Sequence, residues 1–192
     1  MAASSHKQLL ALALLVLVGC HTGSGDGEVT GSVTSVACDL DGAFSFEPSF
    51  FAANASHDVL EIRLQSSSAF PDVVDGLTVA VNHVPEVQAS LGAPIPIALT
   101  GAEALVQLTM VFGKTCPVHL ADGVPVLMSA IEGEIVFDAL YSPEHPTDSK
   151  RIAGHFEDVR FVDPASPDES FAVLSGHFDF LYSRGRPAQP FP

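Results

Sequence analysis

The sequence predicts an all-β fold, an antiparallel β-sandwich or an irregular barrel with long Pro/Gly-rich loops. Three observations carry that expectation. From Val29 onward apolar residues recur at every second position, and β-branched and aromatic residues are frequent. Beyond residues 1–19, no window of about 12 residues has sustained helical periodicity. A strand motif with glycine at its centre returns through the last third of the chain.

Taken in order, Cys38, Leu40, Gly42, Phe44 and Phe46 alternate with polar or small neighbours and predict a strand. Leu60, Ile62 and Leu64 alternate with Val59, Glu61 and Arg63 and predict another. Leu77, Val79 and Val81 continue the pattern, and Leu105 to Phe112 is a mostly apolar strand. One short helix is expected over Val84–Leu91, where Pro85 suits the first turn. Turns are expected at Pro48, Pro71-Asp72, Asp75-Gly76, Gly92 to Pro96, Asp122-Gly123, Pro143, Pro164 and Pro167. Short strands separated by such turns favour antiparallel pairing over parallel βαβ units.

The recurring motif places an apolar residue two positions either side of a glycine. Its copies centre on Gly133, Gly154 and Gly176, and Leu40-Asp-Gly42-Ala-Phe44 looks like a fourth. Glycine weakens a strand unless something covers it, and an aromatic ring on the neighbouring strand does so. Pairing Gly154 with Phe178 also sets Phe156 against Gly176 and Ile152 against Phe180. Pairing Gly133 with Phe156 sets Ile135 against Gly154 and Phe137 against Ile152. One register for each hairpin therefore satisfies two glycines, which predicts a meander of strands near 131–138, 152–160 and 174–182. Asp158 interrupts the apolar face and predicts a bulge before Val159 and Phe161.

The amino-terminal segment has a different character. Lys7 follows a short polar start, Leu9 to Val18 is uninterruptedly apolar, and Leu17-Val18-Gly19-Cys20 closes the run. The run matches the h-region of an export signal and is too short to span a bilayer. An ordinary signal cleaved after Gly19 would carry bulky Leu17 at the minus-three site, which suits it poorly. Leu-Val-Gly-Cys resembles the lipobox of bacterial lipoproteins. The resemblance covers residues 1–20 alone. It implies cleavage before Cys20, a diacylglycerol on the Cys20 sulfur and an acyl chain on the new amino terminus. Several chains, at about 0.8 kcal/mol per buried methylene, give stable anchoring. His21 stands where Asp would signal inner-membrane retention in that family, so the resemblance implies the outer membrane of a two-membrane cell envelope. The expected organisation is a signal peptide over 1–19, lipidated Cys20 with a flexible Gly/Ser/Asp tether through Glu28, one β-domain over 29–183, and an extended Pro-rich tail over 184–192 that carries Arg184 and Arg186.

Charge and cysteines narrow the partners. Eight basic residues face 23 acidic ones, a net charge of −15, and removal of residues 1–19 takes away Lys7 and no acid. That balance repels nucleic acid and anionic headgroups, leaving the lipid on Cys20 as the expected membrane contact. Cys38 and Cys116 remain as an even pair in an oxidising compartment. A disulfide between them is favoured over two buried free thiols, closing a loop of about 80 residues.

No nucleophile elbow, phosphate loop or zinc-protease helix motif is present. The predicted register would line up Glu134, His155 and His177 on one sheet face, a donor set suited to zinc or another transition ion. A row of polar side chains is also what the wet face of an antiparallel sheet presents, and that plainer reading is favoured. His57-Asp58 and His177/Asp179 supply base and acid without a matching serine. Asp39 and Asp41, and Asp163, Asp168 and Glu169, are acidic clusters without EF-hand spacing, better explained as solvated loops. The expected function is a non-enzymatic binding or structural role for a lipid-anchored envelope protein, without a cofactor. The alternative is a metal- or small-ligand-binding lipoprotein using the Glu134, His155 and His177 face.

Overall fold

Two strands joined by only three residues lie at opposite ends of the hydrogen-bonded sheet, and this fixes the shape of the molecule. The computed structural model describes residues 25–67, 74–98, 104–116 and 125–182. Its strands are β1 (Gly25–Ser35), β2 (Leu40–Phe46), β3 (Phe50–Ser56), β4 (Val59–Gln65), β5 (Asp75–Val81), β6 (Pro94–Pro96), β7 (Val106–Phe112), β8 (Val126–Glu132), β9 (Glu134–Ala139), β10 (Arg151–Val162) and β11 (Ser170–Leu181). They form one sheet in the order β2-β1-β11-β10-β8-β7-β5-β4-β3, while β9 extends beside β10 and pairs with β6 on its other side. Every strand pairing is antiparallel.

Strands about 4.8 Å apart would put β2 and β3 about 38 Å from each other if the sheet were flat. Glu47, Pro48 and Ser49 link them, and that stretch reaches about 14 Å at most. The sheet must therefore curl, and it does so strongly enough to form a half-barrel. The expected all-β antiparallel fold is present, built from one continuous sheet.

Aromatic contacts across the interior hold the curl. Phe51 of β3 lies 5.5 Å from Phe180 of β11, ring centre to ring centre, and Phe44 of β2 meets Phe112 of β7 edge-on at 5.3 Å. Both geometries suit the ring quadrupole. Phe112, Phe137, Phe156, Phe161 and Phe178 are fully buried in one continuous apolar core. The Phe51 ring also packs on the backbone of Gly25 and Gly27, where an added Cβ would come within 3.0 and 3.2 Å of it. These glycines were expected to belong to a flexible tether reaching Glu28. Instead Gly25 to Glu28 begin β1 and pair with Phe180 to His177. Glycine stands there because Phe180 Cβ and the His177 carbonyl of β11, together with the Phe51 ring of β3, leave no room for a side chain.

The β10–β11 hairpin has the predicted register: Gly154 faces Phe178, Phe156 faces Gly176 and Ile152 faces Phe180. The predicted bulge is present too, with a register shift between Phe156 and Val159 and Asp158 at φ 49°. The neighbouring strand departs from expectation. It breaks at Gly133 into β8 and β9, with Ile135 opposite Phe156 and Phe137 opposite Gly154, two residues from the predicted pairing. The pairing keeps one register on either side of the bulge, with Phe161 opposite Ala130 and Phe156 opposite Ile135, so Gly133 falls at the bulge and not in the Phe156 pair. An added Cβ there would lie 2.7 Å from the Val159 side chain. Gly154 still receives its aromatic cover, from Phe137 and Phe178 together.

The expected helix is α1 (Val84–Gln88), with Pro85 in its first turn and Val84 and Val87 buried. Asp75-Gly76, expected as a turn, opens β5 instead. The buried Asp75 carboxylate accepts hydrogen bonds from the Lys114 and Thr115 amides at 3.0 and 2.9 Å and from the Thr115 hydroxyl at 2.6 Å. It thereby orders the turn leading into Cys116, and three donors compensate the burial of its charge.

Cys38, in the turn after β1, is disulfide-bonded to Cys116, with their Cα atoms 5.2 Å apart. The bond closes a loop spanning 78 residues in sequence. The chain-entropy account assigns such a loop about 4–5 kcal/mol, a large part of a typical domain's stability. Replacing both cysteines with serine is expected to lower unfolding free energy by about that amount. Urea denaturation of the two proteins checks this, and coincident curves would contradict it.

Candidate functional site

The outward face of β1, β11, β10 and β9 gathers the titratable side chains that the sequence singled out. Phe156 and Phe178 point into the core, so His155 and His177, one residue away on their strands, point outward. The two histidines are directly opposed in the β10–β11 ladder. Each side chain is about half exposed, 46% for His155 and 49% for His177.

Glu134 does not join them. The shifted register places Val136 opposite His155, and Glu134 faces Pro96 of β6. The expected Glu134–His155–His177 row is therefore broken at its first member. Two other carboxylates take the flanking places. Asp26 of β1 stands 3.3 Å from His177 Nε2, and Asp138 of β9 stands 3.5 Å from His155 Nδ1. Across four neighbouring strands the order is Asp26, His177, His155, Asp138. Sequence reasoning missed both acids. Asp138 was within reach, because it shares the outward face of β9 with Glu134 and Val136. Asp26 sat in a segment whose composition reads as linker.

Among the described residues, no group of three or more His, Cys, Asp or Glu side chains converges to hold a metal ion. Glu28 lies directly opposite His177 on β1, two positions from Asp26, the residue that reaches the ring. The arrangement is thus two carboxylate–imidazole pairs placed back to back.

The other pairs resolve separately. Asp179 does not act with His177. Its two oxygens accept from Nε and an Nη of Arg151, both at 2.8 Å. Ser56 Oγ lies 3.3 Å from His57 Nδ1, but Asp58 pairs with His145 at 3.1 Å, so serine, histidine and aspartate belong to two different contacts. Asp41 accepts from Thr34, and Asp39 sits in the β1–β2 turn at φ 53°. Asp163 accepts from the Ala165 amide at 2.8 Å and from Ser166, folding its own loop. Gln65 is fully buried, and neither polar atom of its amide has a hydrogen-bond partner among the described residues. Cys20 and the tail with Arg184 and Arg186 lie outside the described residues. Among those described, no helix is long and apolar enough to cross a membrane.

No protein-family model, curated protein or solved structure matches the chain.

The Arg151–Asp179 fork gives this face a measurable electrostatic signature. Its hydrogen bond is the main cause holding the Asp179 carboxyl below the usual carboxylate range, against a smaller desolvation effect. A depressed folded-state value contributes stability above the ordinary carboxylate range and loses it as pH falls through the folded-state value. Arg151→Gln is expected to raise the Asp179 midpoint toward its ordinary value in a carboxyl NMR titration. Solvent exposure of the pair keeps the accompanying stability change small. An unmoved Asp179 titration would contradict the assignment.

Proposed function

We propose that the chain is a bacterial envelope lipoprotein, anchored through lipids on Cys20, whose β-domain has a binding or structural role rather than a catalytic one. The observation that carries this reading is Leu17-Val18-Gly19-Cys20 at the end of a short apolar run. Four residues separate Cys20 from the first residue of β1. Even fully extended, that stretch keeps the domain within about 17 Å of the lipid-bearing sulfur. The anchor would therefore hold the body at the membrane surface. His21 in place of Asp favours the outer membrane.

Two features support a binding role. Among the described residues the sheet order ends at β2 and β3, each with one side of its backbone ladder unpaired. Such edges accept an added strand from a partner. The imidazoles of the outward face are flanked by carboxylates, an arrangement suited to holding charge.

Cys20→Ser tests the reading. Intact-mass measurement is expected to show loss of the acyl chains, and fractionation to show the protein moving from the membrane to the soluble pool. An unchanged mass and unchanged membrane association would overturn it.

A further inference from the structure

We propose that His155 and His177 form a chelating pair for a divalent transition ion of borderline softness, copper(II) above zinc(II). The geometry begins with the ladder. Directly opposed residues on one sheet face have Cβ atoms about 4.5–5.5 Å apart, and these two are so opposed. Nitrogen ligands bind such ions at about 2.0–2.1 Å. Two rings on facing strands close on one ion by side-chain rotation alone, and their half-exposed state leaves that rotation free.

The flanking carboxylates give the pair its chemical direction. A histidine that binds a metal through one ring nitrogen characteristically donates the other N–H to a carboxylate, which fixes the tautomer and raises the basicity of the ligating nitrogen. Here Asp26 stands at Nε2 of His177 and Asp138 at Nδ1 of His155. The nitrogens left for an ion are Nδ1 of His177 and Nε2 of His155. Asp26 makes that hydrogen bond with His177 at 3.3 Å, and Asp138 stands 3.5 Å from His155, each from a different strand. No third donor of the His, Cys, Asp or Glu type converges there among the described residues, so water completes the coordination. Imidazole suits copper, nickel and zinc, whereas calcium and magnesium prefer oxygen. The chain's charge of −15 attracts cations in general, and the paired imidazoles select among them.

The proposal is independent of the anchor, and its test uses full-length protein carrying Cys20→Ser so that no free thiol at that position competes. Copper(II) is titrated calorimetrically in excess magnesium, which occupies the non-selective acidic surface. One equivalent is expected to bind with two-nitrogen coordination in the electron paramagnetic resonance spectrum. His155→Ala and His177→Ala are each expected to weaken binding at least about tenfold, and Asp26→Asn or Asp138→Asn by about 10–100-fold. His145→Ala is expected to leave it unchanged. Metal-free melting curves confirm that the variants fold. Absence of binding in excess magnesium, or full affinity in the His155→Ala/His177→Ala double variant, would overturn the proposal.

Discussion

The three-residue link from Phe46 to Phe50 is the constraint on which the rest of the structure depends. It ties the first edge of the sheet to the last, and no flat arrangement of the intervening strands is compatible with so short a connection. Curling in turn creates the interior. Phe51 reaches Phe180 and the glycines of β1, and Phe44 reaches Phe112. The disulfide then joins the β1–β2 turn to the turn that follows β7. Backbone connection, ring packing and covalent bond thus act on the same closure, and Asp75 orders the turn into which the bond is set.

The outward face is a product of that closure. Asp26 reaches His177 because β1 is held in the sheet from its first residue, with the Phe51 ring packed on Gly25 and Gly27. A loose amino-terminal segment would leave His177 without its carboxylate. On the other side, the break at Gly133 turns the chain from β8 into β9 and brings Asp138 beside His155. Two departures from regular strand geometry therefore arrange four side chains in a row.

Much of this was legible in the residues, for reasons that differ by element. The β10–β11 register followed from glycine needing an aromatic cover, since only one alignment served Gly154 and Gly176 together. Asp158 announced its bulge by interrupting an apolar face. The even pair Cys38 and Cys116 announced the disulfide. The β9 register was not legible, because a slip of two residues leaves every side chain on the same face and the alternation unchanged. That shift removed Glu134 from the row. The start of β1 was hidden for another reason. Gly-Asp-Gly has the composition of a linker, and the atoms that make glycine necessary there come from β11 and from the Phe51 ring of β3, both distant in sequence. Asp75-Gly76 misled similarly, since the Asp75 side chain serves a turn reached only through folding.

The closure itself is open to direct measurement. Proton NMR of the folded protein reports whether the Phe51 ring lies over β1. Nuclear Overhauser contacts between its ring protons and the Hα protons of Gly25 and Gly27, with ring-current shifts that vanish in Phe51→Leu, are the predicted result. Random-coil shifts for Gly25 and Gly27, with no contact to Phe51, would mean that β1 begins later, β3 does not pack on it, and the account of the curled sheet is wrong.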